Sequence, residues 1–141
     1  MATILLVEDD PDVREPLSEI LHDELYTVLT AGHGGEGLTV LSSRGTLPDV
    51  ILLDLRMPVM DGREFLVRLR GHPDWRNIPV VVYSGTPDFC PPDALGPVAG
   101  NLVKPVQIPV LLDLLARCCG ARAEGSTARV PAVPHETRLA A

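Results

Sequence analysis

Polar side chains that could do chemistry stand at the ends of four short apolar runs. In chain order they are Glu8-Asp9-Asp10, Asp54, Ser84 and Lys104. Two carboxylates about 4 Å apart repel each other by about 4 kcal/mol at an effective dielectric of about 20, and a hard divalent cation such as Mg²⁺ removes that penalty. A metal-bound carboxylate beside a lysine and a hydroxyl suits a phosphoryl group, because both donors can bind its oxygens. The residue types therefore indicate a metal-assisted phosphoryl site.

The alternative is four unrelated polar groups, each solvated at the surface. For any single group, solvation at the surface is the commoner situation. Independent solvation does not explain why all four groups follow apolar runs, so we favour a shared site.

The elements that must position these groups are strands alternating with helices. Strands are predicted at residues 3–7, 26–30, 50–54, 79–83 and 102–103, and helices at residues 11–25, 35–43, 61–70 and 108–119. This alternation predicts right-handed crossovers and a parallel sheet between helical layers. Ligands of such sheets bind at the carboxyl ends of the strands, which is where the polar groups fall.

The first helix carries clear start signals and one conflicting residue. Asp10 is suited to cap it and Pro11 to occupy its first position. Pro16 falls in the second turn, where we expect a lost hydrogen bond or a kink.

Composition bounds the remaining choices. The 141 residues are 45% apolar with a net charge of −7, which suits one folded domain and disfavours nucleic acid as a partner. No apolar run approaches the ~20 residues of a membrane span, and the amino terminus lacks the basic region of a signal peptide.

Three cysteines, two of them adjacent, suit reduced thiols in a cytoplasmic protein. Residues 120–141 lack hydrophobic periodicity and are predicted to be a flexible tail.

The ordered set of motifs resembles the receiver domain of two-component response regulators, in particular the single-domain type found in chemotaxis. The matching residues are Glu8-Asp9-Asp10-Pro11, Asp54, Met57-Pro58, Asp61-Gly62, Ser84 and Lys104-Pro105. The resemblance covers residues 1–119. It implies a flavodoxin-like fold: a doubly wound five-stranded parallel sheet flanked by helices, with the fourth helix short or degenerate in this chain.

The resemblance also implies a role for each matching residue. The metal ligands for Mg²⁺ would be Glu8 (mostly through water), Asp9, Asp54 and the main-chain carbonyl of Arg56. Asp54 would accept a phosphoryl group from the phosphohistidine of a sensor histidine kinase or phosphotransfer protein. Lys104 would pair with that group, the Ser84 hydroxyl would move to bond it, and the Lys104–Pro105 peptide bond would be cis. The switched surface would then be read by a downstream target protein, and the chain would catalyse only its own phosphotransfer and dephosphorylation.

Departures from the family pattern concentrate after Ser84. Residues 86–100 contain four prolines, which leave room for no more than a short helix at residues 92–95. Asn101 stands where the family usually has an aromatic residue, and Val106 replaces a frequent phenylalanine. One hypothesis is that phosphorylation is normal while the signal is read on a rebuilt surface. The other is that the loop has merely diverged and the partner uses the first helix.

Three other functions would each explain part of the pattern. Residues 32–37 spell the GxGxxG pattern of dinucleotide-binding domains, but Glu36 inside that loop would repel a pyrophosphate. A haloacid-dehalogenase-type phosphatase needs a second acid two residues after its nucleophile, where this chain has Arg56. A phosphorylation-independent interaction module on the same fold remains as the third alternative.

Overall fold

The architecture is a parallel sheet covered by helices on both faces. A computed structural model describes residues 2–43, 47–55, 62–84 and 98–122. The strands are β1 (Thr3–Val7), β2 (Thr27–Ala31), β3 (Val50–Asp54), β4 (Val80–Ser84) and β5 (Gly100–Val103), and the helices are α1 (Pro11–Asp23), α2 (Gly34–Ser43), α3 (Gly62–Arg70) and α4 (Ile108–Arg122). All pairings are parallel and the strand order is β2-β1-β3-β4-β5. This confirms the doubly wound five-stranded sheet.

Two apolar layers explain why the sequences of the three inner strands, β1, β3 and β4, are continuously apolar rather than alternating in polarity. Strand residues such as Leu5, Leu53 and Val82 belong to one buried cluster with α2 and α3. Their neighbours along the strands, such as Leu6 and Tyr83, belong to a second cluster with α1 and α4. Since successive strand residues point to opposite faces, covering both faces requires an unbroken apolar run.

Helix α1 begins as predicted and continues through its internal proline. Asp10 is the N-cap, with its Oδ1 accepting a hydrogen bond from the amide of Asp12 at 2.9 Å, and Pro11 is the first helical residue. Pro16 stands inside a helix that runs on to Asp23, and because proline has no N–H, the expected hydrogen bond to the carbonyl of Asp12 is lost without ending the helix. Pro16 and Asp12 are both exposed, and water can therefore satisfy the carbonyl that the proline leaves without a helical donor.

The predicted boundaries need small corrections: α1 ends two residues earlier than predicted, and α2 begins one residue earlier. β2 and β4 each lie one residue later than predicted, and β5 begins two residues earlier, at Gly100. α4 runs to Arg122, so the folded part extends three residues past the boundary predicted at residue 119. Gly120 lowers helix propensity but does not end the helix, since the main-chain hydrogen bonds need no apolar side chain. The remainder of the predicted tail, residues 123–141, lies outside the described residues.

A left-handed residue closes α1 and offers a stability test. Leu25 has φ 73° and is 73% exposed. Its amide donates to the carbonyl of His22 at 2.9 Å, and the amide of Tyr26 donates to that of Leu21 at 3.2 Å, which is the Schellman pattern that favours glycine. We expect Leu25→Gly to raise the free energy of unfolding by about 1 kcal/mol. The Cβ of leucine is sterically strained in the left-handed conformation, and glycine has no Cβ.

Denaturant unfolding checks this, with Leu25→Ala as the control. Alanine removes the same exposed side chain but retains the Cβ strain, so it should not stabilise the protein. Equal effects of the two substitutions would show that the backbone conformation is not the cause.

Candidate functional site

The carboxyl ends of four strands place the candidate residues along one edge of the sheet. Glu8 and Asp9 follow β1, Asp54 ends β3, Ser84 ends β4 and Lys104 follows β5. Chain order leads from β1 to β2 on one side and to β3 on the other, so the winding reverses between β1 and β3. The acids therefore stand at the topological switch point, the usual ligand position in such sheets.

Three carboxylates form the centre of the site. Glu8, Asp9 and Asp54 each offer an oxygen within 4.8 Å of the others. Glu8 is fully buried and Asp54 is 2% exposed, whereas Asp9 is half-buried. A donor set made of carboxylate oxygens on a partly open edge fits Mg²⁺, a hard cation that binds through few carboxylates and retains water ligands. The third acid of the run, Asp10, is instead used as the cap of α1.

Lys104 connects two of these carboxylates. Its Nζ lies 3.4 Å from Glu8 Oε1 and 3.4 Å from Asp54 Oδ2, and its side chain is 29% exposed. The same Nζ lies 5.1 Å from the centre of the Tyr83 ring. The Lys104–Pro105 peptide bond is cis, as expected. Lys104 thus partly neutralises the buried acids while its exposed portion leaves it accessible to an incoming anion.

Glu8 is held by several donors that the sequence did not reveal. Its Oε1 accepts from the hydroxyl of Tyr83 at 2.6 Å, and its Oε2 accepts from the amide of Asp10 at 3.1 Å. Arg14 Nη1 donates to the main-chain carbonyl of Glu8 at 2.8 Å. Burial, and then the adjacent Glu8 carboxylate, raise the pKa of Tyr83, so the phenol keeps its proton and acts as a donor.

Several predicted residues can be located only in part. Ser84 ends β4, paired in register with Val103. Arg56, whose main-chain carbonyl was expected to bind the metal, lies outside the described residues. So do Met57-Pro58, Asp61 and residues 85–97, the segment between β4 and β5 in which a short helix at residues 92–95 was expected. Their roles stay predictions.

Gly62 brings the start of α3 against the end of β3. A Cβ at this position would lie 2.6 Å from Leu55 Cα and 2.8 Å from the carbonyl oxygen of Asp54. Both are main-chain atoms, which cannot rotate away as a side chain would. The glycine of the Asp61-Gly62 motif thus permits the close approach that fixes the backbone beside Asp54.

We expect Gly62→Ala to lower the free energy of unfolding by about 1 to 3 kcal/mol and to slow phosphorylation, because Leu55 and Asp54 must shift. Thermal unfolding and a phosphorylation time course measure the two effects. Gly71→Ala is the matched control, because the nearest atom to its Cβ would be 3.5 Å away, an ordinary contact. Equal behaviour of the two variants would contradict this account of Gly62.

The glycine-rich loop after β2 has a structural use. The amide of Gly32 donates to Glu36 Oε1 at 2.5 Å, and the amide of Glu36 donates to His33 Nδ1 at 3.1 Å. A pyrophosphate at this helix start would need such amides free. The loop geometry therefore favours a self-capped α2 over a dinucleotide site.

Fold and site together define a class of signalling domain, and comparison with known proteins shows which one. The family model described as the response regulator receiver domain matches residues 4–116. The chain belongs to this family.

Solved structures agree with this assignment. The signal receiver domain of a signal transduction histidine kinase from Syntrophus aciditrophicus superposes with a TM-score of 0.77 at 29% identity, covering 94% of this chain and 99% of that one. The Vibrio cholerae chemotaxis protein CheY4 superposes with a TM-score of 0.74 at 33% identity, covering 84% of this chain and 98% of that one. The expected likeness to chemotaxis regulators is confirmed.

Curated relatives include much longer signalling proteins. The hybrid signal transduction histidine kinase D of Dictyostelium discoideum is 35% identical over 85 residues, which are 60% of this chain but 5% of the kinase. The response regulator protein FleR of Pseudomonas aeruginosa is 33% identical over 154 aligned positions, covering 99% of this chain and 30% of FleR. The chain thus spans a small part of these relatives. Among its described helices, none is long and apolar enough to cross a membrane.

Proposed function

We propose that this receiver domain is a phosphoacceptor in which Asp54 takes a phosphoryl group in a Mg²⁺-dependent reaction. The observation that carries the proposal is the arrangement around Asp54. Its carboxylate is almost fully buried, shares an acidic cluster with Glu8 and Asp9, and lies 3.4 Å from the ammonium group of Lys104. A nucleophile, a cation-binding group and a fixed positive charge therefore meet at one strand end.

The chemistry follows from these positions. An oxygen of Asp54 attacks the phosphorus of a phosphohistidine, a P–O bond forms, the P–N bond breaks and the imidazole leaves. Lys104 offers its charge to the transferred group, because its Nζ already lies beside the attacking carboxylate. Asp9, Asp54 and the main-chain carbonyl of Arg56 would hold Mg²⁺ directly and Glu8 mostly through water, and the bound cation would supply positive charge to the phosphoryl oxygens.

The output proposed is a change of protein contacts. A phosphoryl group adds about −1.5 to −2 charge units beside Lys104, and the Ser84 hydroxyl is the expected donor that moves towards it. The partners proposed are a sensor histidine kinase or phosphotransfer protein upstream and a target protein downstream. A cytoplasmic location and the absence of catalysis beyond the domain's own phosphotransfer and dephosphorylation belong to the same proposal.

Acetyl phosphate tests the proposal without knowledge of the kinase. The full chain is incubated with acetyl phosphate in Mg²⁺ or in excess EDTA, and intact mass spectrometry follows addition of a phosphoryl group. We expect addition in Mg²⁺ and little in EDTA. No addition in either condition would contradict the proposal and favour the phosphorylation-independent interaction module.

A further inference from the structure

A buried tyrosine adjoins the candidate metal site, and the proposed reaction does not yet use it. Tyr83 is fully buried in the layer between the sheet and helices α1 and α4. It lies beside Asp54 in the β3–β4 register. Its hydroxyl donates to Glu8 Oε1 at 2.6 Å, a contact between residues 75 positions apart in sequence.

The core alone does not explain a phenol at this position. Residues 80–82 of β4 are all valines, and an apolar side chain would fill the same layer without a polar atom to satisfy. A buried hydroxyl costs free energy unless it is hydrogen-bonded, and here its partner is a carboxylate of the acidic cluster. The hydroxyl therefore has a specific use at Glu8.

Glu8 receives donors from three different segments. Tyr83 and Lys104 approach Oε1, and the amide of Asp10 reaches Oε2. These donors differ in what happens when a cation arrives. The ammonium of Lys104 repels a second cation, whereas a phenol is neutral and can remain hydrogen-bonded to a carboxylate that faces a metal.

We propose that Tyr83 is a positioning residue that fixes the Glu8 carboxylate for metal binding. The inference rests on the proposed Mg²⁺ site and adds to it the group that orients one of its acids. Partners of this kind, which bind a ligand rather than the metal, typically contribute ten- to a hundredfold to metal affinity. The positioning role thus predicts a loss of affinity when the hydroxyl alone is removed.

Calorimetric titration with Mg²⁺ compares the wild type with Tyr83→Phe. We expect the variant to bind Mg²⁺ about tenfold more weakly. Tyr26→Phe is the matched control: it makes the same chemical change at the other tyrosine of the chain, which packs against the same apolar layer. Its Mg²⁺ affinity should equal that of the wild type.

The outcomes separate this inference from the proposed function. If the wild type binds Mg²⁺ and Tyr83→Phe binds it equally well, the positioning role is wrong while the metal site stands. If the wild type does not bind Mg²⁺, the metal site fails and the positioning role fails with it. An equal loss in Tyr26→Phe would indicate a general effect on the fold and would also overturn the inference.

A spectroscopic measurement on otherwise wild-type protein keeps the test independent of how well Tyr83→Phe folds. With 3-fluorotyrosine incorporated, the two tyrosines give two fluorine resonances, which Tyr26→Phe assigns. We expect the Tyr83 resonance to shift on addition of Mg²⁺ with the same saturation as in calorimetry, while the Tyr26 resonance stays constant. A Tyr83 resonance whose chemical shift does not change on addition of Mg²⁺ would contradict the positioning role.

Discussion

Asp54→Asn is expected to reduce phosphorylation by acetyl phosphate at least about a thousandfold, because the amide oxygen of asparagine is a much weaker nucleophile than a carboxylate oxygen. Asparagine has nearly the same shape as aspartate, so the buried end of β3 should keep its backbone. The substitution also removes one of the acids that crowd the cluster within 4.8 Å of each other, which lessens their repulsion. The variant should therefore be folded and unreactive.

Asp49→Asn is the matched control for this variant. Asp49 immediately precedes β3 at its opposite end, where its Oδ2 accepts from the amide of Thr3 at 2.8 Å. An asparagine oxygen can accept the same hydrogen bond. Intact mass spectrometry should show normal phosphorylation of Asp49→Asn. Substantial phosphorylation of Asp54→Asn would mean that another residue is the acceptor.

Lys104→Met is expected to destabilise the metal-free protein by about 3 kcal/mol, because it leaves two buried carboxylates without their shared cation. This loss is at the low end of what removing one partner of a buried ion pair usually costs, because Lys104 itself is 29% exposed. Saturating Mg²⁺ should recover much of this loss, because a bound cation replaces the missing charge. Phosphorylation should nevertheless be slower, since no ammonium group remains to bind the phosphoryl oxygens.

Denaturant unfolding with EDTA or with Mg²⁺ measures these effects. The control is Arg117→Met, which removes an exposed cation paired with Asp113 on α4 and should change stability by less than about 1 kcal/mol. If Lys104→Met is as stable as the wild type in EDTA, or if Mg²⁺ stabilises both equally, Lys104 does not neutralise the acids as described.

Much of the fold was predictable because the inner strands are buried on both faces and are therefore unbroken apolar runs in the sequence. The run before Asp54 and the run before Ser84 became adjacent central strands. The ends of the helices were predicted less accurately, because they depend on main-chain hydrogen bonds that the spacing of apolar residues does not report. The lost hydrogen bond at Pro16 was predictable from the sequence, but its cost depends on solvent access to a single carbonyl, which the sequence does not report.

The candidate site was predictable where charged side chains end apolar strands. Glu8, Asp54 and Lys104 meet as expected. The roles of Tyr83 and Arg14 were not predicted, because their contacts with Glu8 depend on where each side chain points in the folded protein. In sequence, Tyr83 is another large residue of a buried strand and Arg14 is one charge on an amphipathic helix. The one available signal was a hydroxyl-bearing aromatic at the end of an otherwise valine strand.

Locating the phosphoryl group is the most direct test of the proposed function. After phosphorylation with acetyl phosphate, borohydride reduction converts an aspartyl phosphate to homoserine, and peptide mass mapping shows which residue has changed. We predict homoserine at position 54, dependent on Mg²⁺. A stable phosphate on a serine or histidine, or homoserine at Asp9 or Asp10 instead, would contradict the assignment of Asp54 as the acceptor.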